Sequence, residues 1–132
     1  MRWLALVLVL VVGCGGGDSN GPGDTQFQGT WIGPYTSTAS PGATFEGVLQ
    51  LTQDGDAVTG TLTTNAGRSA TVAGEASGER LEAVFTYTDG CVGTAETTAD
   101  LIDEEVPARL TGNYTSEDCV GATSGGYNLS KQ

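Results

Sequence analysis

From Gly29 to the C-terminus, apolar and polar positions alternate in short segments rich in Thr, Val and Gly. Turn signals interrupt the alternation about every 8–14 residues. Such a period of two marks strands with one buried face. The pattern predicts eight antiparallel strands, at about 29–37, 44–53, 57–64, 69–77, 80–88, 92–101, 107–115 and 124–131. Asp54-Gly55-Asp56, Ala66-Gly67, Gly78-Glu79 and Asp89-Gly90 separate several of them with good tight-turn chemistry. No segment keeps a helical apolar period. Leu101–Val106 comes nearest, and Pro107 limits it to one turn.

A short motif recurs along these segments: apolar, any, Gly, any, apolar or small. It is found at Trp31–Tyr35, Phe45–Leu49, Val58–Leu62, Val72–Ala76, Cys91–Ala95 and Leu110–Tyr114. Strand side chains alternate between faces, so each central glycine shares the inward face with its apolar neighbours. Glycine inside a strand weakens it and marks a sharp bend or a close backbone approach. Bends repeated around one sheet are what closing a small barrel requires. The predicted fold is all-β, a small eight-stranded antiparallel up-and-down barrel over residues 29–132.

Tracing the strands up and down divides the inward residues into two layers. The end where the chain enters collects Trp31, Leu51, Val58, Leu81, Leu101, Leu110 and Leu129. The far end collects Tyr35, Phe45, Leu62, Phe85, Tyr87, Tyr114 and Tyr127, which include all four tyrosines of the chain. Tyrosine favours sites with one apolar and one wet side. A closed near end and a shallow aromatic mouth at the far end are therefore expected. Tyr35, Phe45, Phe85, Tyr87, Tyr114 and Tyr127 are the candidate ligand-binding residues. The competing expectation is ordinary core with the hydroxyls at the rim.

The N-terminus has a different pattern. Trp3–Val12 is an unbroken run of ten apolar residues, about half of what a membrane-spanning helix needs. Arg2 before it and the run's length fit a signal peptide. Val11-Val12-Gly13-Cys14 resembles the lipobox of bacterial lipoproteins. Leucine is more usual where Val11 stands. The resemblance implies cleavage before Cys14, residues 1–13 as signal peptide, and a lipid on Cys14 that holds the domain to a membrane. Gly15 rather than Asp follows the cysteine, which favours the outer membrane of a bacterial cell envelope. Residues 14–28 then form the lipidated cysteine and a Gly-rich tether with a reach of roughly 20 Å.

Gly29-Thr30-Trp31 at the head of the first strand resembles the calycins, the lipocalin and avidin-like barrels. That resemblance implies that Trp31 closes one end of the barrel. It also implies a base near the last strand packed over the indole, and Lys131 is the candidate. No avidin ligand residue can be matched, so no biotin site is carried over.

After the leader, sixteen acids stand against four bases, a net charge of −12. Nucleic acid and anionic lipid headgroups carry the same sign and are disfavoured as partners. The chain has no histidine, which removes the usual general base near neutral pH and the commonest metal ligand. With Cys14 assigned to the lipid, Cys91 and Cys119 remain, and an even pair in an exported domain reads as a disulfide. In an up-and-down order it would tie two loops at the far rim.

Nucleophile-elbow, P-loop and dinucleotide fingerprints are absent. Glu46, Glu75, Glu82, Glu96 and Asp100 fall on the outward face, where a carboxylate makes a poor general acid. Asp54-Gly55-Asp56 and Asp103-Glu104-Glu105 lack calcium-loop spacing and read as solvated turns. Asn113-Tyr114-Thr115 and Asn128-Leu129-Ser130 match the glycosylation pattern, which is idle in a bacterial lipoprotein. The expectation is a monomeric, non-enzymatic envelope lipoprotein that needs no cofactor or metal and holds a small apolar or aromatic ligand. One alternative is a protein-interaction module inhibiting a cationic hydrolase such as lysozyme, with Ser124-Gly125-Gly126-Tyr127 as its Ser/Gly-rich loop. The other is a structural envelope protein with no discrete ligand.

Overall fold

The structure, a computed structural model, describes residues 26–132. The leader, Cys14 and the tether up to Thr25 lie outside the described residues. Eight strands follow in chain order: β1 Gly29–Tyr35, β2 Phe45–Asp54, β3 Ala57–Thr64, β4 Ser69–Ser77, β5 Arg80–Tyr87, β6 Thr94–Ile102, β7 Arg109–Asp118 and β8 Gly121–Lys131. Each pairs antiparallel with the next, and β8 returns to β1 through Tyr127–Tyr35, Ser130–Ile32 and Lys131–Trp31. The result is a closed barrel without a free sheet edge. Among the described residues no helix is long and apolar enough to cross a membrane.

The strand boundaries differ from expectation mainly at the last hairpin. The long connection expected near 116–123 is only the two-residue turn Cys119-Val120. The polar residues that suggested a loop are strand residues with specific partners. Ser116 Oγ lies 3.0 Å from the Tyr87 hydroxyl. Asp118 accepts the Val120 N–H at 3.0 Å, and Gly121 closes the turn at a φ of +110°. The glycine frees the chain to adopt a conformation that L side chains rarely take. Leu101 and Ile102 finish β6, and the acidic residues after them form exposed bends rather than a helical turn.

The near end is filled as predicted. Trp31, Leu51, Val58, Leu81, Leu101, Leu110 and Leu129 are all buried. Its seal was not legible in the apolar pattern. Phe27, placed in the tether by sequence, is fully buried in the same cluster. Its carbonyl accepts the Trp31 indole N–H at 2.9 Å, and its own N–H donates to Gln53 Oε1 at 2.9 Å. The buried Gln53 amide spends its other end on the Gly55 carbonyl at 3.0 Å, so a polar side chain sits in the core without an unmet group. Lys131 Nζ lies 5.5 Å from the Trp31 ring centroid, within cation–π range. Phe27, two residues before β1, is thus part of the packed core.

Five of the six motif glycines make the expected close approach. A Cβ at Gly33, Gly60, Gly74, Gly93 or Gly112 would overlap a neighbouring-strand carbonyl, those of Asn128, Gln50, Glu82, Glu117 and Thr98 respectively. Gly47 is the exception, since its Cβ would sit 3.6 Å from Tyr35 Cδ1, an ordinary contact. Gly125, outside the motif, approaches Thr36 as closely as the five. Gly60→Ala should therefore destabilise the domain by about 1–3 kcal/mol, a drop of several degrees in melting temperature. Gly47→Ala should shift it by less than about 0.5 kcal/mol. Thermal unfolding of the two variants followed by circular dichroism checks the contrast. Equal losses would mean that backbone approach does not explain the strand glycines.

Candidate functional site: the distal mouth and its arginine latch

The connections β1–β2, β3–β4, β5–β6 and β7–β8 meet at the end opposite Phe27, where the described chain enters the barrel. There the Cys91–Cys119 disulfide joins the β5–β6 connection to the β7–β8 turn, with Cα atoms 5.1 Å apart. Both the bridge and its place on the rim match the sequence expectation. Between this rim and the packed end lies a cavity of about 220 Å³. All six candidate residues line it: Tyr35, Phe45, Phe85, Tyr87, Tyr114 and Tyr127. Gly47, Leu49, Leu62 and Leu129 complete its apolar walls. A Cβ at Gly47 would be in ordinary contact with the Tyr35 and Leu62 side chains, at 3.6 and 3.7 Å.

The tyrosines contribute rings more than hydroxyls. The Tyr127 hydroxyl is 2.5 Å from Thr97 Oγ1, which donates to the Asn113 carbonyl at 2.7 Å. Burial pushes the Tyr127 hydroxyl up to about 12. Tyr87 meets Ser116 as described, and Tyr114 donates to the Thr36 carbonyl at 2.6 Å. Burial also pushes Tyr114 up. Only the Tyr35 hydroxyl lacks a partner among the described residues, and its ring packs against Phe45 at 5.4 Å between centroids. Three of the four hydroxyls thus brace the barrel wall.

The β1–β2 connection folds over the mouth and brings Ser37, Ala39 and Ser40 to the cavity. Its first residues extend the β1–β8 pairing: the Thr36 N–H donates to the Gly126 carbonyl at 2.9 Å and the Thr38 N–H to the Ser124 carbonyl at 2.8 Å. Ser124-Gly125-Gly126-Tyr127 is therefore no loop. It lies inside β8, paired with Thr115, Tyr114, Asn113 and Gly112 of β7.

Arg68, in the β3–β4 connection, is the site residue that sequence reading missed. Its guanidinium stacks 3.9 Å from the Tyr87 ring centroid and lines the cavity. Nε donates to Asp89 at 2.6 Å, Nη1 to Asp118 at 2.9 Å and Nη2 to the Cys91 carbonyl at 3.4 Å. One side chain thus ties its own connection to the β5–β6 connection and to the end of β7. A signal for it existed, because Asp89 and Asp118 stand two and one residues from the disulfide cysteines. Pairing the cysteines brings both carboxylates to one place, and buried carboxylates need a cation. Arg68 is the base within reach.

The remaining charge lies elsewhere. Glu46, Glu75, Glu82, Glu96 and Asp100 are exposed on the outer face, as predicted. Among the described residues, no Asp or Glu lines the cavity. Among the described residues, one trio of metal-type ligands converges: Cys91, Asp118 and Cys119. Its sulfurs are bonded to each other and its carboxylate is held by Arg68. Compared with protein-family models, curated proteins and solved structures, the chain matches none.

The latch has a pH signature. The Arg68 guanidinium, helped by the N–H groups of Cys91 and Ser69, holds the Asp89 carboxyl down from 3.8 to about 2. A depressed carboxyl stabilises the fold above its unfolded value and loses that contribution as pH falls toward the folded one. The difference in melting temperature between wild type and Asp89→Asn should therefore be largest above about pH 5 and shrink toward about pH 2. A difference that stays constant with pH would show that Arg68 does not hold Asp89 in its charged form.

Proposed function

We propose that this chain is a non-enzymatic, lipid-anchored protein of the bacterial cell envelope. Its barrel binds one small apolar or aromatic molecule in the distal mouth. The observation that carries the reading is the cavity of about 220 Å³ walled by the six aromatic residues. Ligand sites are concave and mostly apolar, with few polar groups. An eight-stranded barrel has room for at most one small ligand. An engineered apolar cavity of about 150 Å³ takes up benzene, so this one suits a substituted ring or a short chain.

Several features support the rest. The lipobox-like end of the leader supports a lipid on Cys14, and the mouth opens at the barrel end opposite Phe27, where the described chain enters. Gly15 rather than Asp after that cysteine supports an outer-membrane address. A closed barrel offers no edge for strand pairing, in keeping with a monomer. The hydrolase-inhibitor alternative loses the loop it invoked, since Ser124–Tyr127 belongs to β8.

Two measurements test this. N-phenylnaphthylamine, an uncharged dye, should brighten on binding the purified domain. Gly47→Leu, which fills the cavity from a wall position with room for a Cβ, should abolish the signal. Glu82→Gln on the outer face should leave it unchanged. A signal that survives Gly47→Leu in a folded variant would move binding off the mouth. Mass spectrometry of the full chain expressed in a bacterium should find an acylated Cys14 as the first residue; an intact leader would refute the anchor.

A further inference from the structure

The cavity has one charged lining residue, Arg68, and its surroundings decide what it can recognise. A guanidinium carries five N–H donors in a planar fork. Three are spent, on Asp89, Asp118 and the Cys91 carbonyl. Two remain without a partner among the described residues. The mouth therefore offers hydrogen-bond donors to whatever enters.

The charge of the group points the other way from what a lone arginine would suggest. Arg68 is paired with two carboxylates, and the side chain of Asp118 is only 1% exposed. The three side chains together carry −1. The whole chain is also strongly acidic. A carboxylate or phosphate entering the mouth would gain the donors of Arg68 but meet two carboxylates just behind it. It would also lose water in a site lined largely by rings and aliphatic side chains. An ammonium would meet the guanidinium first and find no acceptor side chain of opposite charge on the wall. An uncharged acceptor, such as an amide, ester or ketone oxygen, takes the spare donors without either penalty.

Resting on the reading of the cavity as a ligand site, we propose that it selects uncharged molecules: a ring or short chain seated among the aromatic residues, with a neutral oxygen accepting a hydrogen bond from Arg68. The Arg68–Asp89–Asp118 group is then the specificity determinant, with Arg68 touching the ligand and the two aspartates setting the charge of the mouth.

The test is displacement of N-phenylnaphthylamine by three probes with the same tail: octanamide, octanoate and octylammonium. Wild type should prefer octanamide over both ions by at least about tenfold, a factor equal to about 1.4 kcal/mol. Asp118→Asn removes one negative charge behind the guanidinium and keeps an oxygen for the Val120 N–H. It should narrow the gap between octanamide and octanoate several-fold. Should that variant fail to fold, raising the salt concentration on wild type gives a second readout, because screening weakens the repulsion of octanoate and should also narrow the gap. Octanoate or octylammonium binding as tightly as octanamide would overturn the selectivity while leaving the cavity a ligand site. A dye that fails to bind at all would overturn the site itself.

Discussion

The close approach of neighbouring backbones at the strand glycines is the constraint on which this barrel depends. Eight short strands can close around so small a core only if their sheet bends sharply. At Gly33, Gly60, Gly74, Gly93 and Gly112 the bend brings a carbonyl of the next strand into the space where a Cβ would stand. Gly33, Gly60, Gly74 and Gly112 lie within their strands on the inward face, between the layers that the two ends supply, and Gly93 stands just before β6 at the distal rim. The waist of the barrel is consequently narrow, lined by glycine and alanine, and the larger side chains are pushed to its ends.

The two ends then solve different problems. The near end is packed by branched and aromatic side chains and sealed by Phe27, whose backbone is tied to Trp31 and Gln53. Each polar group in that seal has a partner, so its burial costs little. The distal end has rings but not enough volume to fill the space they enclose. It is held open from outside, by the disulfide, by the Arg68 latch and by tyrosine hydroxyls bonded to Thr97, Ser116 and Thr36. A pocket whose walls are braced this way keeps its shape without a ligand, which lowers the ordering cost of binding one.

The acidic balance of the chain has different meanings at different places. On the outer strand faces the carboxylates are exposed to solvent. At the mouth, two aspartates are drawn in and paired with an arginine. The same residue type is a solvated charge in one setting and part of an ion-paired group in the other, and burial beside a cation makes the difference.

The period-two alternation by itself determined the number of strands, their inward faces and the two layers, because in a strand the facing of each residue follows directly from its position. The glycine motif determined closure, and the far-end clustering of Tyr35, Phe45, Phe85, Tyr87, Tyr114 and Tyr127 located the cavity. Cysteine parity sufficed for the disulfide. Phe27 was not legible, because it follows a glycine-rich tether and belongs to no alternating segment. Arg68 was not legible either, because its partners are 21 and 50 residues away in the chain. Only the folded barrel brings three connections together at one rim. Alternation reports which way a side chain faces; what it meets there depends on register and loop conformation, and those are decided by the tertiary structure.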